Sequence, residues 1–234
     1  MLFQFLNPYY FVKINKILRP YIISICIVCL IIGLYLALIK SPEDYQQGEM
    51  VRIMYIHVPA AWLSLMIFVI MGFASTACLV WRANLGLYIS LAAAPIGTCF
   101  AAITLITGMI WGKPIWGTWW VWDSRLTSML LLFLFYISYI VVSTGSHNVQ
   151  KIEKPVCVIA IIGTINVPIV KFSVDLWYSL HQPASIMKVG GPSIDSSMLF
   201  PLFIMFVANF ALFLILLSLR IEILLNRIYG LRGN

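Results

Sequence analysis

Two histidines and one tryptophan-dense stretch carry most of the chemistry open to this sequence. Residues 111–127 read WGKPIWGTWWVWDSRLT and hold five of the eight tryptophans: Trp111, Trp116, Trp119, Trp120 and Trp122. Asp123 and Arg125 close the stretch. An indole is a large flat apolar plate with one N–H donor. A cluster of them suits a stacking surface for a flat ligand, or a shelf at a membrane interface. His57 and His181 sit in similar contexts, His57-Val58-Pro59 and His181-Gln182-Pro183. Proline disfavours helix at the residue before it, so each histidine is expected just ahead of a constrained turn. Neutral imidazole is a common metal ligand.

The elements that must position these residues follow from composition. The chain has 234 residues, 62% hydrophobic and 10% charged. A soluble domain carries about 25% charged residues, so this is read as an all-α integral membrane protein. A helix needs about 20 apolar residues to cross the hydrocarbon core. Six spans are expected, at about 20–39, 59–81, 86–110, 126–144, 156–174 and 198–219, with Pro59 at a first helical position. The fifth is the least regular, with Asn166 and Pro168 inside it. One domain, 1–234, is expected.

Basic residues in loops set orientation. With the N-terminus inside, the inner segments, Arg232 included, hold nine basic residues against two acidic ones. The outer segments hold six of each. Both termini are therefore expected on the cytoplasmic side, and the loops at about 40–58, 111–125 and 175–197 on the outer face. That puts the tryptophan stretch, His57 and His181 on one side of the membrane, where the outer loops would form a ligand site. His147 falls in an inner loop and reads as a solvated residue.

The sharper reading of the pair is two imidazoles facing each other across a flat ligand. Haem fits this: its iron takes axial nitrogen ligands and its plate could lie along indoles. Its propionates need cations. Arg125 ranks first and Arg52 second, with Lys113, Lys171 and Lys188 also on the outer side. Two unrelated interfacial histidines, or a zinc site completed by carboxylates such as Asp175, are the alternatives. Asp123 reads as orienting an indole N–H or pairing with Arg125.

Other chemistry is sparse. All five cysteines fall in apolar runs, and Cys26-Ile-Val-Cys29 is followed by Leu30 rather than the His of a haem-attachment motif. Any cofactor is thus expected to be held non-covalently. Gly112-Lys113 is followed by Pro114, so there is no phosphate-binding loop. No G-x-S-x-G or H-E-x-x-H occurs, and no enzyme activity is expected. Nothing suggests nucleic-acid binding. Gly108-Met-Ile-Trp-Gly112 matches G-x-x-x-G only weakly, at a helix end.

The stretch Trp111–Thr127 resembles the tryptophan-rich "WWD" signature of haem-handling proteins of cytochrome c biogenesis. Within that group, the length, the six spans and the two flanking histidines resemble the CcmC family, cytochrome c maturation protein C or haem exporter protein C. Asp44–Gly48 (DYQQG), Tyr55–Ala61 (YIHVPAA) and Leu180-His181-Gln182 fit as well. The resemblance implies b-type haem held on the outer face against the WWD segment, with His57 and His181 as axial ligands. It implies transfer of that haem to the chaperone CcmE, help from the small subunit CcmD, and release driven by the ABC-type pair CcmA/CcmB. It also implies a bacterial inner membrane, or alternatively a mitochondrial one. A transmembrane haem transporter is the second functional reading; the uncharged spans offer it no evident polar route.

Overall fold

The computed structural model describes residues 8–146, 148–177, 179, 181, 186 and 191–229. His147, Leu180, Gln182, Pro183, Lys188 and Arg232 lie outside the described residues. The fold is nearly all helix: α1 (Pro8–Tyr35), α2 (Met54–Trp81), α3 (Asn84–Trp116), α4 (Ser124–Thr144), α5 (Val149–Leu176) and α6 (Ser196–Tyr229). A π-helical turn, Leu36–Lys40, extends α1, and a 3-10 turn, Glu49–Ile53, leads into α2. There is no strand among the described residues. All six helices are long and apolar enough to cross a membrane.

Several helices overrun the spans read from hydropathy. At 1.5 Å per residue the 33-residue α3 is about 50 Å long, against about 30 Å of hydrocarbon. Hydropathy marks only the part that lipid must cover, and the helix continues into the interface. Trp111–Trp116 is consequently the end of α3, not a loop. The turn proper is 117–123, and Ser124 already begins α4.

A second correction concerns Pro59. It lies inside α2, not at its first position, and His57 sits in the first turn of that helix rather than ahead of a turn. Proline removes one bond, to the carbonyl four residues earlier. Lipid demands paired backbone on either side of it, and that demand overrides the local bias.

Glycine and polar contacts let the inner helices approach closely. Tyr136 of α4 lies on Gly97 of α3, where a Cβ would stand 2.3 Å from the phenol. Its hydroxyl donates to the Ser64 carbonyl of α2 at 2.6 Å. Asn166, buried in α5, donates to the Ser128 carbonyl of α4 at 2.9 Å, so the polar residue that weakened the fifth span is a helix-to-helix tie. The principal apolar core runs through Leu63, Ile67, Phe68 and Met71 of α2, with Leu132 and Val156 from α4 and α5. At the end where α1 begins and α6 finishes, Arg19 of α1 pairs with Glu222 of α6 at 2.5 Å, and Lys16 stands 3.5 Å from the same carboxylate.

Candidate functional site

The opposite end of the bundle gathers the chemistry. The Asp44–Gly48 turn closes through two backbone bonds, Gly48 N–H to Asp44 O at 2.8 Å and Asp44 N–H to Gly48 O at 3.3 Å. The Asp44 carboxylate accepts from the N–H groups of Gln46 and Gln47 at 2.9 and 2.8 Å. Gly48 has φ 55° and ψ −140°, a backbone region essentially restricted to glycine. The turn presents Gln47, whose side-chain oxygen accepts the Trp111 indole N–H at 2.9 Å. Tyr55, 1% exposed, bonds Ser41 through its hydroxyl and anchors the first turn of α2.

Two residues on, in the same first turn of α2, His57 meets α3. Its imidazole packs edge-on against Trp111, centroids 5.6 Å apart. Its Nδ1 lies 3.0 Å from Thr107 Oγ1. That hydroxyl has one proton, and it donates it back to the Ile103 carbonyl at 2.6 Å. Toward His57, Thr107 can therefore only accept, and the ring carries its proton on Nδ1. Gly108 makes room: a Cβ there would come within 3.2 Å of His57 Cε1.

His181 meets the other side of the α3 terminus. It packs edge-on against Trp116 at 4.7 Å, and Gly112 makes room for Trp116, since a Cβ there would stand 2.9 Å from the indole. Gly117 ends α3 at φ 75°, with its N–H on the Lys113 carbonyl at 3.0 Å. The chain then turns back to Asp123, the N-cap of α4, whose carboxylate accepts the Leu126 N–H at 2.8 Å. The same carboxylate takes the Ser179 hydroxyl at 2.5 Å and His181 Nδ1 at 2.8 Å.

Asp123 thus holds His181, not an indole. It is not in an ion pair with Arg125 among the described residues.

Burial pushes the Asp123 carboxyl up, but the bonds from Ser179, Leu126 N–H and His181 outweigh it and hold it below its ordinary value. Burial also dominates for His181, lowering it despite the raising effect of Asp123. Near neutral pH the pair is a carboxylate and a neutral imidazole protonated on Nδ1. Both histidines are thereby left with Nε2 as the nitrogen able to bind a metal. Among the described residues no group of three or more His, Cys, Asp or Glu converges.

The remaining tryptophans form the turn itself. Trp120 and Trp122 are in edge contact at 5.4 Å. Trp122 is 75% and Trp119 57% exposed, leaving broad apolar faces open. The Trp120 indole N–H is buried without an acceptor among the described residues.

The candidate cations differ in availability. Arg52 is committed to Glu49 and to the Ala37 carbonyl at 2.8 Å, and Lys113 to the Gly117 carbonyl at 2.9 Å. Arg125 makes one long contact, to Ser173 Oγ at 3.5 Å, and has no carboxylate within ion-pair distance among the described residues. Lys171 is exposed on α5.

Sequence reasoning missed Thr107, Gln47, Ser179 and the seating role of Gly108 and Gly112. The G-x-x-x-G spacing singled out the two glycines but suggested helix pairing, and the DYQQG stretch marked Gln47 without indicating its bond to Trp111.

Comparison with known proteins finds that the family model described as CcmC, Heme exporter protein C, matches residues 1–231. A "Heme exporter protein C" of Bradyrhizobium diazoefficiens is 44% identical over 228 residues, covering 97% of this chain and 86% of its own. A "Putative cytochrome c biosynthesis ccmC-like mitochondrial protein" of Marchantia polymorpha is 44% identical over 208 residues, 88% of each chain. The Escherichia coli K12 "Heme exporter protein C" is 40% identical over 183 residues, 78% of this chain and 74% of its own.

Proposed function

This chain belongs to the CcmC family, Heme exporter protein C, and we propose that it holds haem non-covalently on the outer face of the membrane and delivers it for cytochrome c biogenesis. The observation that carries the reading is the pair of imidazoles, each seated on a tryptophan of one motif and each with its Nδ1 proton held by an acceptor. Haem is the cargo, and its chemistry is that of an iron that accepts two axial nitrogens and a plate that carries two carboxylates.

The residues present fit such a group. His57 and His181 would hold the iron through Nε2. Trp119 and Trp122 offer exposed faces to the plate. The Trp120 N–H, without an acceptor among the described residues, and the guanidinium of Arg125 suit carboxylate oxygens.

Lacking nucleophile, nucleotide and hydrolase motifs, the chain acts as a binding and delivery protein rather than an enzyme. The acceptor is the haem chaperone CcmE. CcmD and the ABC-type pair CcmA/CcmB complete the assembly, which sits in a bacterial inner membrane with both termini of this chain inside. A relative named as mitochondrial keeps the organellar membrane as the other setting.

The test is the visible spectrum of the detergent-purified protein. A Soret band is expected. His57→Ala and His181→Ala each alter it, and His147→Ala does not. An unchanged haem spectrum in the double variant His57→Ala/His181→Ala would remove the ligand assignment. Delivery is tested by incubating the loaded protein with purified CcmE: the Soret absorbance should move to CcmE, and its retention on this chain would count against transfer.

A further inference from the structure

The two histidines are held by different chemistry. We infer that Thr107 and Asp123 are the positioning residues of the site, fixing both imidazoles in the Nδ1–H form, and that the contrast between a hydroxyl and a carboxylate acceptor makes His57 the ligand that releases first. This rests on the haem-binding reading above.

The tautomer is fixed by counting protons. A carboxylate can only accept, so His181 Nδ1 donates to Asp123 Oδ2 across 2.8 Å. Ser179 gives its own proton to the same oxygen and accepts the His181 backbone N–H at 3.1 Å. Thr107 has given its proton to Ile103 O, so His57 Nδ1 donates across 3.0 Å. Neither ring can flip its proton to Nε2 without orphaning these bonds. A metal-bound histidine whose other N–H is held in this way keeps ring orientation and gains basicity.

The two acceptors are not equal. A hydrogen bond to an ionised group is about twice as strong as one between neutral groups. Asp123 is itself fixed by three donors and 9% exposed, so its charge stays aimed at His181. The Thr107 hydroxyl is neutral. His181 becomes the electron-rich, firmly held donor and His57 the weaker one. The geometry around them agrees. His181 lies on the segment between α5 and α6, and its backbone and ring are both bonded to that segment's Ser179 or to Asp123. His57 is fixed on the first turn of α2, packed against Trp111, and its ring partners are both neutral, the Thr107 hydroxyl and the Thr104 carbonyl. A delivery protein needs such a pair: one ligand that keeps the cargo and one that opens the iron to the next protein.

The experiment uses the full chain in detergent, loaded with haem. Asn caps a helix as well as Asp does, so Asp123→Asn keeps the α4 N-cap through Oδ1 and replaces Oδ2, the acceptor of His181 Nδ1–H and Ser179, with an uncharged amide nitrogen that only donates. The expected result is about a tenfold loss of preference for ferric over ferrous iron, a rise in midpoint potential of about 59 mV for one electron. Thr107→Val should retain haem with a partly five-coordinate spectrum, and Thr107→Ser should restore the wild-type spectrum, with helix content by circular dichroism unchanged in all. His57→Ala should keep haem as a five-coordinate species, whereas His181→Ala should lower haem content about tenfold. An unchanged potential in Asp123→Asn, an unchanged spectrum in Thr107→Val, or equal haem loss in the two alanine variants overturns the inference. A wild-type protein that takes up no haem at all sinks the functional reading instead.

Discussion

Replacing Gly108 with alanine separates the site from the fold, because its two effects have opposite sign. Gly108 lies inside α3, where alanine is favoured over glycine by about 1 kcal/mol. On helix stability alone the variant should be the better protein. The added Cβ, however, would sit 3.2 Å from His57 Cε1 and 3.8 Å from Nδ1. The ring must give by a few tenths of an ångström. Retreat from α3 stretches the 3.0 Å contact with Thr107 to about 3.3 Å, beyond the usual range for such a bond. A hydrogen bond of this kind is worth about 1 kcal/mol net, or about fivefold in affinity, and loss of ligand alignment adds to that. Haem titration of the detergent-purified variant, followed at the Soret band, should show binding weakened by about fivefold or more. Thermal unfolding of the haem-free protein should show a melting temperature equal to or above wild type. Unchanged haem affinity refutes the seating argument. A weaker affinity matched by a clear drop in melting temperature refutes it too, since the substitution would then simply have damaged the bundle.

Four further outcomes follow from neighbouring contacts. Trp111→Phe removes the indole N–H from Gln47 while keeping a smaller aromatic ring, and a double-mutant cycle with Gln47→Ala, read by thermal unfolding, should give a coupling of about 1 kcal/mol. The haem-free protein should lose stability as pH falls below 6.5, the ordinary histidine value from which His181 is lowered: the unfolded chain takes up a proton there that the buried imidazole refuses, so stability is complete above that pH and declines toward the lower folded value. His181→Gln should flatten this part of the pH–melting curve. Arg125→Gln should leave the haem-free melting temperature near wild type but weaken haem binding, with Arg125→Lys an incomplete rescue because a lysine lacks the bidentate fork. Arg52→Gln should do the reverse, costing stability through Glu49 and the Ala37 carbonyl with less effect on haem.

What the sequence revealed, and what it hid, divides along a physical line. The six spans were legible because lipid imposes a composition on every residue it touches. Their ends were not, since helix continues wherever backbone pairing is still favourable, and this is why Trp111 and Trp116 prove helical. The tryptophans stood out because five of eight fall in one short stretch, and His57, His181 and Asp123 because ionisable side chains are few and costly in a membrane protein. Asp123 was noticed but its partner was not: the choice among an indole, Arg125 and a histidine 58 residues away is made by how α4 and the segment after α5 pack, which no local pattern encodes.

Thr107, Gly108, Gln47 and Ser179 are ordinary residues with ordinary neighbours. Each acquires a role only because one helix end brings it within about 3 Å of a histidine, a tryptophan or a carboxylate. Rare residues thus mark where a ligand would be held, while common ones together with Asp123 set how it is held: the tautomer, the ring seat and the inequality between two donors. The order of release therefore resides in Thr107 and Asp123, and exchanging the polarity of those two acceptors should alter which histidine lets go while leaving both histidines in place.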